Sequence, residues 1–150
     1  QVAPTNGAMG YGVPAGVAAK IALPDKFVVS VSGDGCFLMN GQEISTANQY
    51  GLKILFIVFD NGMFGTIRMH QERDYPEHVY GTDLMNPDFA ALARAYGLYA
   101  ETITSTEDIT DSVARCIEKD VASLIHIKVD PEAITTRTTL TSIRDNALSK

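Results

Sequence analysis

Tryptophan is absent from these 150 residues, and only two cysteines and three histidines occur. Cys36 and Cys116 cannot make a disulfide framework, and neither they nor His70, His78 and His126 fall at mutual metal-ligand spacings, which argues against a zinc site. Basic residues are scarce: 12 Lys and Arg stand against 18 Asp and Glu, a formal charge of −6, and no Lys/Arg cluster appears. Nucleic acid is therefore not an expected partner. The longest unbroken apolar run, Ile54 to Phe59, is far shorter than the roughly 20 residues a membrane helix needs, so no membrane partner is expected either. No opening segment joins a basic start to a long apolar stretch, which points to a soluble, cytoplasmic protein. Repeats, low-complexity tracts and linkers are also lacking, and the length suits one domain, residues 1–150.

What the sequence does contain is an alternation of strand and helix patterns. Phe27 to Val31 and Ile54 to Phe59 read as buried strands, Ser123 to Val129 as a third, and Leu98 to Ile103 as a weaker fourth. Helical patterns cover Val13 to Leu23, with Val13, Val17 and Ile21 four apart and Gly16 allowing close packing, and Gly41 to Tyr50. In the next helix Phe89, Leu92, Ala93 and Tyr96 share a face, with Asn86 as cap, Pro87 at the start and Gly97 as the stop. After Ser105 an imperfect capping box with Asp108 precedes a face of Ile109, Val113, Cys116 and Ile117, which makes Cys116 a core residue. Residues 60–85 read as a loop, and 135–150 as the most poorly packed segment. The order α, β, α, β, loop, α, β, α, β predicts a doubly wound α/β domain, with a mainly parallel sheet and helices on both faces.

In such sheets ligands bind beyond the carboxyl ends of the strands, which directs attention to two turns. Gly33-Asp34-Gly35 follows the first strand; alone it is more often an ordinary tight turn. Asp60-Asn61-Gly62 follows the second, and the 24 residues from 36 to 59 are the span of one crossover. Asp34 and Asn61 should therefore meet, offering hard oxygens to Mg²⁺, which takes few protein ligands plus phosphate and water.

Gly33-Asp34-Gly35 followed one crossover later by Asp60-Asn61 resembles the fingerprint of thiamine-diphosphate-dependent enzymes, GDG and then NN, with Asp60 in place of the first Asn. Gly7-Ala8-Met9-Gly10-Tyr11-Gly12-Val13-Pro14-Ala15 looks like a segment of acetolactate synthase-like members, and the likeness runs from Asn6 to about Leu140. The resemblance implies the thiamine-diphosphate-binding fold, with Asp34 and Asn61 side chains and the Met63 carbonyl as Mg²⁺ ligands. It implies that Gly35 and Cys36 touch the diphosphate, with Gly33 and Phe37 beside them. Gly7 would offer its carbonyl to the aminopyrimidine, and Met9 would bend the cofactor.

The implied chemistry is decarboxylation of a 2-oxo acid such as pyruvate and transfer of the acyl unit, the cofactor acting as electron sink. Simple 2-oxo acid decarboxylation is the alternative, and a non-catalytic phosphate-ligand module a further one. No catalytic residue is expected in this chain except His70, which follows the second turn. The activating Glu would come from a pyrimidine-binding domain of the same or a neighbouring subunit, in a homodimer or homotetramer. The chain thus reads as an N-terminally truncated C-terminal part of a longer enzyme, silent alone, in which FAD is an option elsewhere. Typical acetolactate synthases carry a Trp just after the metal turn; here Thr66 to Gln71 reads Thr-Ile-Arg-Met-His-Gln, leaving substrate choice open. Glu43 is expected to be a helix-surface or internal hydrogen-bonding residue rather than a general base, His126 to be structural, Asp60 to orient Asn61, and Met63 and Phe64 to line either the pocket or the core.

Overall fold

The apolar runs form four strands, β1 (Val28–Gly33), β2 (Ile54–Asp60), β3 (Tyr99–Ile103) and β4 (Ser123–Lys128), all parallel in the order β1-β2-β4-β3. The computed structural model describes residues 1–150. Strand alternation sends Ile54, Phe56, Val58 and Leu124 to one face, where α1 (Gly12–Ala22), α2 (Asp34–Asn40), α3 (Ile44–Gln49) and α5 (Phe89–Ala95) cover them with Val13, Phe37, Ala47 and Phe89. The other face carries Leu55, Ile125 and Ile127 against Ile109, Val113 and Cys116 of α6 (Ile109–Glu118). Helices thus lie on both faces, as a parallel sheet requires. Gly16 lets α1 sit on β1, since a Cβ there would stand 3.0 Å from Ser30 Cβ. On the opposite side of β1, one of the two edge strands, Val29 and Val31 remain exposed.

Several expectations need correction. The segment read as a loop after the second strand contains a helix, α4 (Gly65–Asp74), and the supposedly poorly packed tail forms α7 (Leu140–Leu148), packed against it. α4 has no apolar stripe: its buried residue is Glu72, which Arg68 of the same helix and Arg144 of α7 clamp at 2.6–3.0 Å, while α7 turns Leu140, Ile143 and Ala147 inward. Glu77 N–H adds a bond at 3.3 Å. The helix expected over 41–50 begins instead at Asp34 and passes through a 3₁₀ turn at Gly41–Glu43 into α3. Asp88, not Asn86, caps α5, accepting from Ala91 N–H at 3.0 Å. Ser105 caps a 3₁₀ turn by accepting from Glu107 N–H, and Ile117 and Ile21 point outward while their expected partners are at least partly buried. Glu43 serves locally, accepting from the Thr46 hydroxyl at 2.8 Å.

Candidate functional site

Register places Gly33 opposite Phe59, so Asp34 and Asp60 leave the sheet side by side at the carboxyl ends of β1 and β2. Their carboxylates are buried and share donors. Gly62 N–H reaches Asp34 Oδ2 at 2.9 Å and Asp60 Oδ1 at 3.0 Å, and Asn86 Nδ2 donates to the same two oxygens. Gly35 N–H donates to Asp34 Oδ1 at 2.8 Å. The turn is tight because Gly62 has φ +72°, a left-handed conformation that a side chain would strain. Asn61 Oδ1 accepts from Met63 N–H at 3.1 Å, which aims the amide within the turn.

Asp60 is the hub of a second layer. Residues 58 and 60 share a face with 126 and 128, in register Val58↔His126 and Asp60↔Lys128. Consequently Asp60 Oδ2 accepts from His126 Nε2 at 2.7 Å and from Lys128 Nζ. Burial alone would raise the Asp60 carboxyl, but Lys128, His126 and Asn86 hold it far below the ordinary carboxylate range. His126 is structural, as expected: it is buried edge-on to Phe89, 5.0 Å between centroids, with Nδ1 3.7 Å from Asp88. Asp60 acts on the backbone of Gly62 rather than on the Asn61 side chain.

A cleft of about 700 Å³ opens over these turns, lined among others by Gly7, Met9, Asp34, Cys36, Asn61 and Met63. Gly33, Gly35 and Phe64 also line it, while Val129, Ala133 and Ile134 from the β4–α7 connection and Thr66 and Ile67 from α4 supply further wall. Gly35 is bare of necessity, since a Cβ would meet the Phe64 ring at 2.7 Å. Two expected residues stand elsewhere. The Phe37 side chain is buried in the core, edge-on to Phe89 at 5.3 Å, and Phe37 does not line the cleft. His70 is exposed on α4 outside the cleft, its Nδ1 2.6 Å from an Arg73 nitrogen, so the catalytic role expected of it has no geometric support. Asn86 was missed by sequence reasoning, because Asn-Pro before an apolar stripe reads as a cap.

The donor set suits a hard dication bearing a diphosphate: a carboxylate, an amide oxygen and a carbonyl at two adjacent strand ends, above a floor of bare backbone. No helix is long and apolar enough to cross a membrane.

The family model described as "Thiamine pyrophosphate enzyme, C-terminal TPP binding domain" matches residues 1–127. The acetolactate synthase large subunit of Parasynechococcus marenigrum is 37% identical over 125 residues, 82% of this chain and 20% of that protein. Acetolactate synthase isozyme 2 large subunit of Escherichia coli is 36% identical over 125 residues, 83% of this chain and 23% of that protein. Among solved structures, a thiamine diphosphate-dependent 4-hydroxybenzoylformate decarboxylase of Rhodococcus jostii superposes with a TM-score of 0.79 at 29% identity, over 85% of this chain and 24% of that one. The chain spans about a fifth of the length of the curated relatives it matches.

Proposed function

Since the chain belongs to the thiamine pyrophosphate enzyme family, as its C-terminal TPP-binding domain, we propose that it holds the Mg²⁺-diphosphate end of the cofactor in an acetolactate synthase-like enzyme. One observation carries this: the two strand-end turns and the Gly7–Met9 segment line a single cleft. Asp34 and Asn61 would hold the metal through their side chains and Met63 through its carbonyl. Gly33, Gly35 and Cys36 would offer close backbone approach to the diphosphate. Met9, with Gly7 beside it, would support the cofactor's ring end. When bound, the cofactor supplies an electron sink for decarboxylation of a 2-oxo acid.

The chain's own task is to position and neutralise. Lys128 and His126 fix Asp60, Asp60 fixes the Gly62 turn, and the apolar wall of Phe59, Phe64 and Ile134 limits water. The proton-activating Glu would come from a pyrimidine-binding domain of the same or a neighbouring subunit, in a homodimer or homotetramer, because ligands with two unlike ends lie at domain interfaces. The cytoplasm is the proposed location.

The full native polypeptide, given thiamine diphosphate, Mg²⁺ and labelled pyruvate, is expected to form acetolactate, read by NMR. Acetaldehyde would instead favour the decarboxylase reading, which the likeness to the Rhodococcus enzyme supports. Tight cofactor binding without turnover of any 2-oxo acid would leave a non-catalytic module.

Cysteine labelling tests cofactor placement independently. Cys36 is half-buried on the cleft wall, whereas Cys116 is buried and its thiol is pushed up to about 11 by burial. Iodoacetamide is expected to modify Cys36 and spare Cys116, and Mg²⁺ with thiamine diphosphate should slow Cys36 alkylation severalfold, measured by peptide mass spectrometry. An unprotected Cys36 would move the diphosphate out of the cleft.

A further inference from the structure

We propose that Asn86 is a positioning residue of the metal turn, a role that rests on the magnesium-diphosphate reading above. The loop that carries it is laced to the turn from both sides. Phe64 N–H donates to Thr82 C=O at 2.8 Å, Leu84 N–H donates to Gly62 C=O at 2.8 Å, and Met63 and Asp83 form an antiparallel bridge between them. Thr82 is itself buried. This lacing delivers the Asn86 amide to the gap between the two carboxylates.

There Nδ2 donates to Asp34 Oδ2 and to Asp60 Oδ1, each at 2.7 Å. The orientation of the amide follows from its partners, because an oxygen in that place would face two carboxylate oxygens. Asn86 Oδ1 is left buried without a donor. Such an orphan is costly, and the double donation to charged acceptors offsets it.

Charge explains why an amide, and not a cation, occupies this place. Asp60 already has Lys128 and His126, whereas Asp34 takes part in no ion pair. An ammonium or guanidinium at position 86 would neutralise Asp34 and compete with a dication. A neutral double donor fixes the Asp34 rotamer while leaving its charge uncompensated. Asn86 therefore prepays the ordering of a metal ligand that would otherwise be repelled by Asp60.

The test uses the full native polypeptide and Mn²⁺ as the probe for the Mg²⁺ site, titrated with thiamine diphosphate present and followed by the EPR signal of free Mn²⁺. Asn86→Ala is expected to weaken Mn²⁺ binding by about 10- to 100-fold, the range for residues that orient metal ligands, with one site per chain and an unchanged circular dichroism spectrum. Asn86→Ser, with one hydroxyl donor on a shorter side chain, should fall between wild type and Ala. A purely structural role would reduce the number of sites and not the affinity of those remaining. Mn²⁺ affinity within twofold of wild type in the Ala variant overturns the inference, and if that variant does not fold the Ser variant decides by the same limit. Wild type that fails to bind Mn²⁺ with the cofactor overturns the magnesium-diphosphate reading and this inference with it; tight wild-type binding with an unaffected variant overturns this inference alone.

Discussion

Replacing Asp34 by Ala in the full native polypeptide is expected to abolish Mg²⁺-dependent cofactor binding, lowering affinity for thiamine diphosphate by at least about 100-fold. The fold should survive the change. Gly62 N–H and Asn86 Nδ2, two of the donors that Asp34 accepts from, both keep Asp60 as an acceptor, and only Gly35 N–H loses its partner. Removing one of two buried carboxylates that crowd the same donors also relieves repulsion in the metal-free state. Isothermal titration calorimetry at fixed Mg²⁺ separates these effects from unfolding, which is followed by circular dichroism. Unchanged affinity would remove Asp34 from the proposed metal site.

Arg144→Ala is expected to loosen α4 and α7 together, costing about 3 kcal/mol of local stability at neutral pH, because a buried carboxylate loses its main counterion. Hydrogen exchange in the two helices should quicken by roughly a hundredfold. The effect has a defined pH dependence. Arg144 is the main cause holding the Glu72 carboxyl down to about 2 from an ordinary 4.5, with Glu77 N–H and Arg68 assisting against burial, which acts upward. A folded-state value below the unfolded one stabilises the native state fully above about pH 4.5, and that stabilisation fades as pH falls toward 2. The gap between wild type and Arg144→Ala should therefore shrink through the same window. A gap independent of pH would mean that Arg144 acts by packing alone.

The sheet was readable because its strands are short apolar runs, and the two turns were readable because Gly33-Asp34-Gly35 and Asp60-Asn61 stand at the ends of those runs. Sequence patterning failed where polar pairs do the work of apolar stripes. In α4 only Ile67 and Met69 interrupt a polar series, and its docking depends on Glu72 meeting Arg144, 72 positions away. The Asp60 hub was hidden for the same reason, its partners His126 and Lys128 lying 66 and 68 positions downstream. Asn86 failed differently: the local rule for helix caps applied to it, but Asp88 two residues later satisfied that rule and left Asn86 for the carboxylates.

The place of β4, last in the chain and yet between β2 and β3, governs the order of events on the ribosome. β1 and β2 can pair as soon as they emerge, but β3 has no neighbour to bond until β4 has been translated and inserted. Until then Asp60 lacks both His126 and Lys128, so a nascent chain carries two adjacent carboxylates without their balancing cation. The long sequence separation between β2 and β4 places this pairing among the contacts expected to form late. A translational stop between residues 60 and 123 therefore releases a polypeptide with at most the β1–β2 pair of its sheet and an unbalanced cleft, a substrate for chaperones and proteases rather than for a cofactor.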